Sequence, residues 1–195
     1  MKNQPIKLHL GCGTKHIDDF INIDLRYLPG VDEVNNIRFL RNYKNNSVDE
    51  IYSCHVLEHF GRWEYKEVLR RWFEILRPGG VLRLAVPDFE AICKHYSKTQ
   101  NLQSLMGLLY GGQDYNENYH YVAFDFSTLS KDLKQIGFSN ISHYDYKKTS
   151  HAQVVDFSRA YLPHTDENGV LIALGVEAYT DKDGMLMSLN IEAQK

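Results

Sequence analysis

The sequence lacks the features that stabilise small secreted proteins or anchor proteins in membranes. Its three cysteines, Cys12, Cys54 and Cys93, cannot all pair with one another and show no Cys-x-x-Cys spacing. This argues against a disulfide framework and a structural zinc site, and it favours a reducing compartment such as the cytoplasm. No apolar run approaches the roughly 20 residues of a membrane span, and no apolar signal region begins the chain. We therefore expect a cytoplasmic protein without membrane insertion.

An excess of charge of one sign is also missing. The 22 basic and 25 acidic residues give a net charge of −3 and are spread along the chain without a basic stripe. Nucleic acid is therefore not an expected partner. The 195 residues contain no internal repeat, and 43% of them are hydrophobic, which suits one core. We expect a single domain over residues 1–195, and the composition favours no particular oligomeric state.

Short apolar segments alternate with helical patterns. In residues 63–76 the apolar side chains recur at helical spacing, and Pro78 with the glycines after it ends the helix. A second helix is predicted over residues 127–136, with Ser127 as its N-cap. Strands are predicted at residues 6–10, 20–24, 34–37, 48–54, 81–86, 141–146 and 186–193. This alternation is typical of an α/β fold with a doubly wound sheet.

Two segments do not follow this alternation. Residues 92–122 contain glycines and a polar, aromatic stretch, and we expect them to form a lid. Residues 149–184 are expected to be irregular, apart from an apolar run at 170–179.

The strongest local signal for a ligand site is a glycine turn. Gly11 and Gly13 follow the first predicted strand directly, and Asp24 ends the second. Glycines allow close approach of the backbone to a ligand, and a carboxylate at this place accepts hydrogen bonds from ribose hydroxyls. A dinucleotide site usually has a third glycine at the start of a helix, where this chain has His16. Only nine residues, 11–19, separate the two predicted strands, so any helix between them must be stunted.

A set of segments in order extends this signal. They are residues 7–13 (KLHLGCG), 21–24 (INID), 56–60 (VLEHF), 76–82 (LRPGGVL) and 127–138, which ends in Ile-Gly-Phe. Together they resemble the methyltransferase type 11 group of class I S-adenosylmethionine-dependent methyltransferases. Residues 188–193 (SLNIEA) resemble the closing strand of members from bacterial surface-polysaccharide gene clusters. The resemblance implies a Rossmann-like, seven-stranded, mostly parallel sheet with helices on both faces and an antiparallel C-terminal strand.

The resemblance also implies a cofactor, S-adenosylmethionine, with S-adenosylhomocysteine as the product. It places the glycine turn beside the methionine part, Asp24 on the ribose hydroxyls, Asn36 and Ile37 around the adenine, and His55 under the sulfonium. It implies no metal ligands. The predicted cofactor-binding residues are Gly11, Cys12, Gly13, Asp24, Leu25, Asn36, Ile37, His55, Glu58 and His59. Glu58 and His59 have an alternative role, which is to orient the loop and cap the helix after it.

The implied reaction transfers a methyl group to a small-molecule or saccharide acceptor, with a hydroxyl as the expected acceptor group. A hydroxyl needs a general base, for which we select His120 in the expected lid, because histidine titrates near neutrality. Asp88 is the second choice, since it follows a central strand, although it is also a good helix N-cap. Tyr110, Tyr115, Tyr119 and Tyr121 could stack on a sugar ring or pack the lid.

Two alternatives remain at this stage. One is a non-catalytic protein that binds S-adenosylmethionine or S-adenosylhomocysteine with the same fold. The other is a zinc hydrolase, because His55-x-x-Glu58-His59 matches the inverted zinc-protease pattern. That pattern needs a helix across residues 55–59 and a third ligand from elsewhere.

Overall fold

A seven-stranded sheet forms the centre of the molecule. The computed structural model describes residues 4–162 and 184–195. Its strands are β1 (Lys7–Leu10), β2 (Ile21–Asp24), β3 (Glu33–Val34), β4 (Val48–Cys54), β5 (Leu76–Pro87), β6 (Ser139–His143), β7 (Tyr161–Leu162), β8 (Met185–Leu186) and β9 (Ser188–Gln194). The order in the large sheet is β3-β2-β1-β4-β5-β9-β6, and β7 pairs with β8 separately. Strand β9 runs antiparallel to β5 and β6, whereas the other neighbours are parallel.

Helices accompany this sheet. They are α1 (Tyr65–Ile75), α2 (Phe89–Thr99), α3 (Met106–Tyr110) and α4 (Phe126–Ile136), with 3-10 turns at Leu57–His59, Gln103–Leu105, Tyr146–Lys148 and Phe157–Arg159. The predicted fold class, a mostly parallel seven-stranded Rossmann-like sheet with an antiparallel C-terminal strand, is confirmed. None of the helices in the described ranges is long and apolar enough to cross a membrane.

The connection between β1 and β2 contains no helix. Strand β2 lies directly beside β1, with Leu8 opposite Ile21 and Leu10 opposite Ile23. The connecting turns are fixed instead by the buried side chain of Asn22, whose Oδ1 accepts a hydrogen bond from the Ile17 backbone N–H at 2.9 Å. The expected stunted helix is therefore replaced by a loop, because ten residues are too few for a crossover helix.

The core lies between the sheet and the helices. Helix α1 buries its apolar side chains, among them Trp72, which is completely inaccessible to solvent. The Trp72 indole N–H donates to the carbonyl of Ile37 at 2.9 Å, so a core side chain fixes the segment that follows β3. The strand order reverses between β1 and β4, and ligands of open α/β sheets bind beyond the carboxyl ends of the strands at such a point.

The N-cap of one predicted helix differs in the structure. The N-cap of α4 is Asp125 rather than Ser127, because the Asp125 carboxylate accepts from the backbone N–H of Thr128 at 2.7 Å. In the expected lid, residues 92–110 are largely helical and residues 111–125 contain neither helix nor strand. The apolar run at 170–179 lies outside the described residues.

Candidate active site

Two adjoining cavities open at the carboxyl ends of β1, β2 and β4. The first has a volume of about 390 Å³ and the second about 410 Å³. Five residues line both of them, namely Gly11, Arg26, His55, His59 and Tyr115. The cavities therefore share a wall, and together they offer an extended site of the size that cofactor sites usually have.

The wall at the end of β1 is the predicted glycine turn. Gly11 has a φ of +69° and Gly13 a φ of +54°, a left-handed region that glycine adopts at little cost. A Cβ at Gly11 would lie 2.4 Å from Cγ2 of Val56, which leaves no room for a side chain. The Gly13 N–H donates to Oδ2 of Asp24 at 2.8 Å. The turn at the end of β1 and the carboxylate at the end of β2 therefore form one hydrogen-bonded unit.

Asp24 is held in place from the other side by Arg26. Its Oδ1 accepts from the backbone N–H of Arg26 at 2.9 Å and from Nε at 3.2 Å, and Asp24 is 6% exposed. The guanidinium of Arg26 lies 4.3 Å from the ring centroid of Tyr115. Asp24 lines the second cavity together with the predicted residues Leu25, Asn36 and Ile37.

The first cavity lies on the side of the glycine turn and is lined by Cys12 and Gly13. Burial raises the pKa of the Cys12 thiol to about 12, so this thiol is protonated at neutral pH and does not act as a nucleophile. Asp156 and Phe157 complete this wall, and the Phe157 ring centroid is 5.2 Å from that of His55. Burial lowers the pKa of His55 to about 3 and keeps its imidazole neutral.

Glu58 lies behind the cavity wall. Its side chain is completely buried, and burial raises its pKa to about 8. The Glu58 carbonyl accepts from the Tyr121 N–H at 2.8 Å, which ties residues 111–125 to the Leu57–His59 turn. The Glu58 backbone thus holds this loop, whereas its carboxylate has no hydrogen-bond partner among the described residues.

The two predicted bases occupy different places. His120 lines the first cavity, its Nδ1 lies 2.9 Å from the Leu108 carbonyl, and burial lowers its pKa to about 4. Asp88 lines neither cavity. It caps α2, where Oδ1 accepts from the N–H groups of Glu90 and Ala91 at 2.9 and 3.3 Å. The structure therefore brings His120 to the site and uses Asp88 as an N-cap.

Of the four tyrosines predicted to stack on a sugar or pack the lid, two line the cavities and two do not. Tyr115 lines both cavities and Tyr121 the second, whereas Tyr110 and Tyr119 line neither. The lining residues that the sequence did not reveal include Arg26, Asp156 and Phe157. The place of Arg26 could have been predicted, because it stands two residues after Asp24 at the end of β2. Asp156 and Phe157 carry no such signal in the sequence.

The helix that a zinc protease requires is not formed. His55 has a φ of +51°, and only Leu57–His59 form a single 3-10 turn. His55 and His59 are therefore not placed one α-helical turn apart, and the zinc-hydrolase alternative loses its geometric basis.

Comparisons with known proteins agree with this architecture. A methyltransferase domain family, type 11, matches residues 29–84, and no curated protein matches. A S-adenosylmethionine-dependent methyltransferase from Methanosarcina mazei is 16% identical, with all of this chain and 94% of that chain covered and a TM-score of 0.57. One from Archaeoglobus fulgidus is 13% identical, with 100% and 87% covered and a TM-score of 0.56.

A third similar structure was solved with ligands. It is 1,6-didemethyltoxoflavin-N1-methyltransferase from Burkholderia thailandensis with bound 1,6-didemethyltoxoflavin and S-adenosylhomocysteine. It is 14% identical, with 98% of this chain and 72% of that chain covered and a TM-score of 0.52. The chain therefore has the fold of S-adenosylmethionine-dependent methyltransferases.

Proposed function

We propose that this chain binds S-adenosylmethionine and transfers its methyl group to a hydroxyl of a small-molecule or saccharide acceptor. The observation that carries the proposal is the unit formed by the glycine turn and Asp24. It joins the ends of two adjacent parallel strands by the 2.8 Å bond from Gly13 to Asp24, beside the two adjoining cavities. The family match over residues 29–84 and the fold of the similar structures support methyl transfer from S-adenosylmethionine, without naming the acceptor.

The residues present fit this cofactor. Glycine at position 11 allows the turn to pack closely against Val56, which lines the second cavity, and the nearly buried Asp24 carboxylate offers oxygen lone pairs suited to ribose hydroxyls. Asn36 and Ile37 give the second cavity one polar and one apolar residue, as a purine base requires. We place the adenosine part in the second cavity and the methionine part in the first.

The bound cofactor would supply an activated methyl group, so the work of the protein is positioning, exclusion of water and proton removal. Tyr115 and Arg26 form a cation–π pair at the shared wall and would cover the cofactor there. We propose that residues 92–122 act as the lid of a single domain, because the loop from 111 onward is tied to Glu58 and lines both cavities. His120 lines the first cavity, and we propose it as the group that accepts the hydroxyl proton.

The first cavity suits a hydroxyl-rich acceptor. Lys15, Asn118 and Asp156 add polar groups to its wall, and Tyr115 adds an aromatic face of the kind that sugar rings stack on. The likeness of residues 188–193 to proteins from polysaccharide gene clusters points to the same acceptor class. We expect the reaction to take place in the cytoplasm, where the free thiols of Cys12, Cys54 and Cys93 would stay reduced.

Calorimetric titration with S-adenosylmethionine and S-adenosylhomocysteine tests the proposal. Replacing Asp24 by alanine removes a charged acceptor, and we expect the affinity to fall roughly ten- to a hundredfold. The matched control is Asp18→Ala, which removes a carboxylate that is 99% exposed in the loop between β1 and β2. Absence of binding at millimolar ligand, or equal binding by both variants, would overturn the proposal. Binding of the cofactor without methyl transfer to any hydroxyl acceptor would instead indicate the non-catalytic binding protein.

A further inference from the structure

The carboxylate of Glu58 is the most unusual polar group in the described part of the chain. Its side chain is completely buried, and neither oxygen has a hydrogen-bond partner among the described residues. A buried polar group without a partner costs about 1–3 kcal/mol, and more when it is charged. Such a group is usually stabilised by a proton, a water molecule or an ion at that place.

Two histidines converge on this carboxylate from different parts of the chain. His59 follows Glu58 in the 3-10 turn, and His120 comes from the loop after α3. Nε2 of His120 lies 3.8 Å from Oε1 of Glu58, and the two imidazole centroids are 4.7 Å apart. One potential ligand atom from each of the three residues lies within 4.8 Å of the others. Ligand atoms of a tetrahedral metal site with bonds of about 2.0–2.2 Å lie roughly 3.3–3.6 Å apart, so these atoms would move closer by up to about 1.5 Å when an ion binds.

The hydrogen bonds of both imidazoles leave one ring nitrogen of each with a lone pair, and for His120 this nitrogen faces Glu58. Nδ1 of His59 lies 3.1 Å from the Tyr119 carbonyl, and Nδ1 of His120 lies 2.9 Å from the Leu108 carbonyl. Because a carbonyl oxygen only accepts, each Nδ1 carries the proton and each Nε2 keeps its lone pair. A metal-binding histidine usually has this arrangement, with its other nitrogen donating to a backbone carbonyl or carboxylate.

His55 adds a further acceptor on the same side. The side-chain amide of Asn190 fixes the direction of the hydrogen bond between Ser188 and His55. Its Nδ2 donates to the Ser158 carbonyl at 2.7 Å, so the Oδ1 of Asn190 faces the Ser188 hydroxyl, 3.1 Å away. The Ser188 hydroxyl donates there, so the His55 Nε2–H donates to Ser188 Oγ at 3.3 Å. Nδ1 of His55 therefore turns its lone pair to Oε1 of Glu58, 3.5 Å away. A proton on Glu58 or a cation beside it would stabilise these two facing acceptors.

We propose that Glu58, His59 and His120 bind one divalent first-row transition-metal ion at the wall of the two cavities. Two imidazoles and one carboxylate are a donor set that suits Zn²⁺, Fe²⁺ and Mn²⁺, and three protein ligands leave coordination positions open for other oxygen atoms. His59 lines both cavities and His120 the first, so these open positions face the space in which we place the acceptor. The main interpretation of the sequence assigned no metal ligands, and only the zinc-hydrolase alternative placed Glu58 and His59 in a metal site, without His120.

The chemical role of this ion rests on the proposed function. An ion at this place acts as a Lewis acid and lowers the pKa of an acceptor hydroxyl. The hydroxyl proton then leaves to water as the new O–C bond forms and the C–S bond of the cofactor breaks, with the electron pair remaining on sulfur. His120 is in this case a metal ligand and not the general base.

Metal binding is measured without the cofactor. Protein freed of metal by a chelator is titrated with Zn²⁺ and with Mn²⁺ by calorimetry, and the metal content of freshly purified protein is determined by mass spectrometry. We expect one ion per chain and a higher melting temperature with metal, because a ligand of the folded state stabilises it. Removal of a ligand in Glu58→Gln, His59→Gln or His120→Gln should weaken binding at least about tenfold.

The matched control is His143→Gln, which removes an exposed imidazole from β6 and should bind metal as the unaltered chain does. Zero stoichiometry in the unaltered chain, or unchanged affinity in all three ligand variants, would overturn the proposal. If the Glu58→Gln protein is as stable as the unaltered chain and neither binds metal, Glu58 is simply a protonated carboxyl. Failure of this test leaves the cofactor titration of the proposed function untouched, because that titration is carried out separately and without added metal.

Discussion

Gly11→Ala tests the close packing of the glycine turn. An alanine there must adopt a φ of +69°, which costs roughly 1–2 kcal/mol. Its Cβ would also lie 2.4 Å from Cγ2 of Val56, and overpacking of this kind costs about 1–3 kcal/mol. The sum is a loss of roughly 2–5 kcal/mol, which lowers the melting temperature by about 4–20 °C in a domain of this size. Urea unfolding followed by circular dichroism measures the free energy.

Gly13→Ala is the matched control, because its φ is +54° but its nearest contact would be Arg26 Nη2 at 3.9 Å. This variant should lose only the conformational part, roughly 1–2 kcal/mol. The double variant Gly11→Ala with Val56→Ala should recover part of the Gly11→Ala loss, beyond additivity. Equal losses at the two glycines, or strict additivity with Val56→Ala, would refute the steric argument.

Three further predictions concern stability. Asp125→Ala should destabilise the protein by about 1 kcal/mol through loss of the α4 N-cap, whereas Ser127→Ala should change the free energy of unfolding by less than about 0.5 kcal/mol. A larger effect of Ser127→Ala in urea unfolding would show that Ser127 is the cap. Burial lowers the pKa of His151 to about 3, so between this value and about 6.5 only the unfolded chain binds a proton there, and stability falls as the pH drops below about 6.5. Between pH 7 and 5 the free energy of unfolding of the unaltered chain should decrease by about 2 kcal/mol more than that of His151→Phe. Parallel pH profiles of the two proteins would contradict this. Trp72→Phe leaves the Ile37 carbonyl without its donor and should cost about 1–3 kcal/mol, while an unfolding free energy unchanged in this variant would exclude a role for that bond.

The parts of the fold that local sequence encodes were predictable. The central strands are short apolar runs between turn residues, and helix α1 shows its buried face as helical spacing. The helix-free crossover after β1 was harder, because the turns there depend on Asn22, a residue of the next strand. The α4 cap was placed two residues late, since both Asp125 and Ser127 are good caps and only the backbone geometry distinguishes them.

In the candidate site too, the residues at strand ends were predictable, whereas those brought in by tertiary packing were not. Gly11, Gly13 and Asp24 stand at strand ends, where parallel strands bring their carboxyl ends to one edge, so sequence order predicts their proximity. Asp156 reaches the site through tertiary packing, with its Oδ2 accepting from the Tyr52 hydroxyl at 2.6 Å across 104 positions of the chain. The approach of His120 to Glu58 likewise depends on the path of residues 111–125, which no periodicity in the sequence reveals.

A crystal structure of the chain with S-adenosylhomocysteine tests the central claim most directly. The account predicts the ligand in the two adjoining cavities, with its ribose hydroxyls within hydrogen-bond distance of the Asp24 carboxylate and its adenine beside Ile37. Its sulfur should lie on the side of the first cavity, near Gly11 and His55. A ligand bound elsewhere on the molecule, or one whose ribose has no contact with Asp24, would contradict the account.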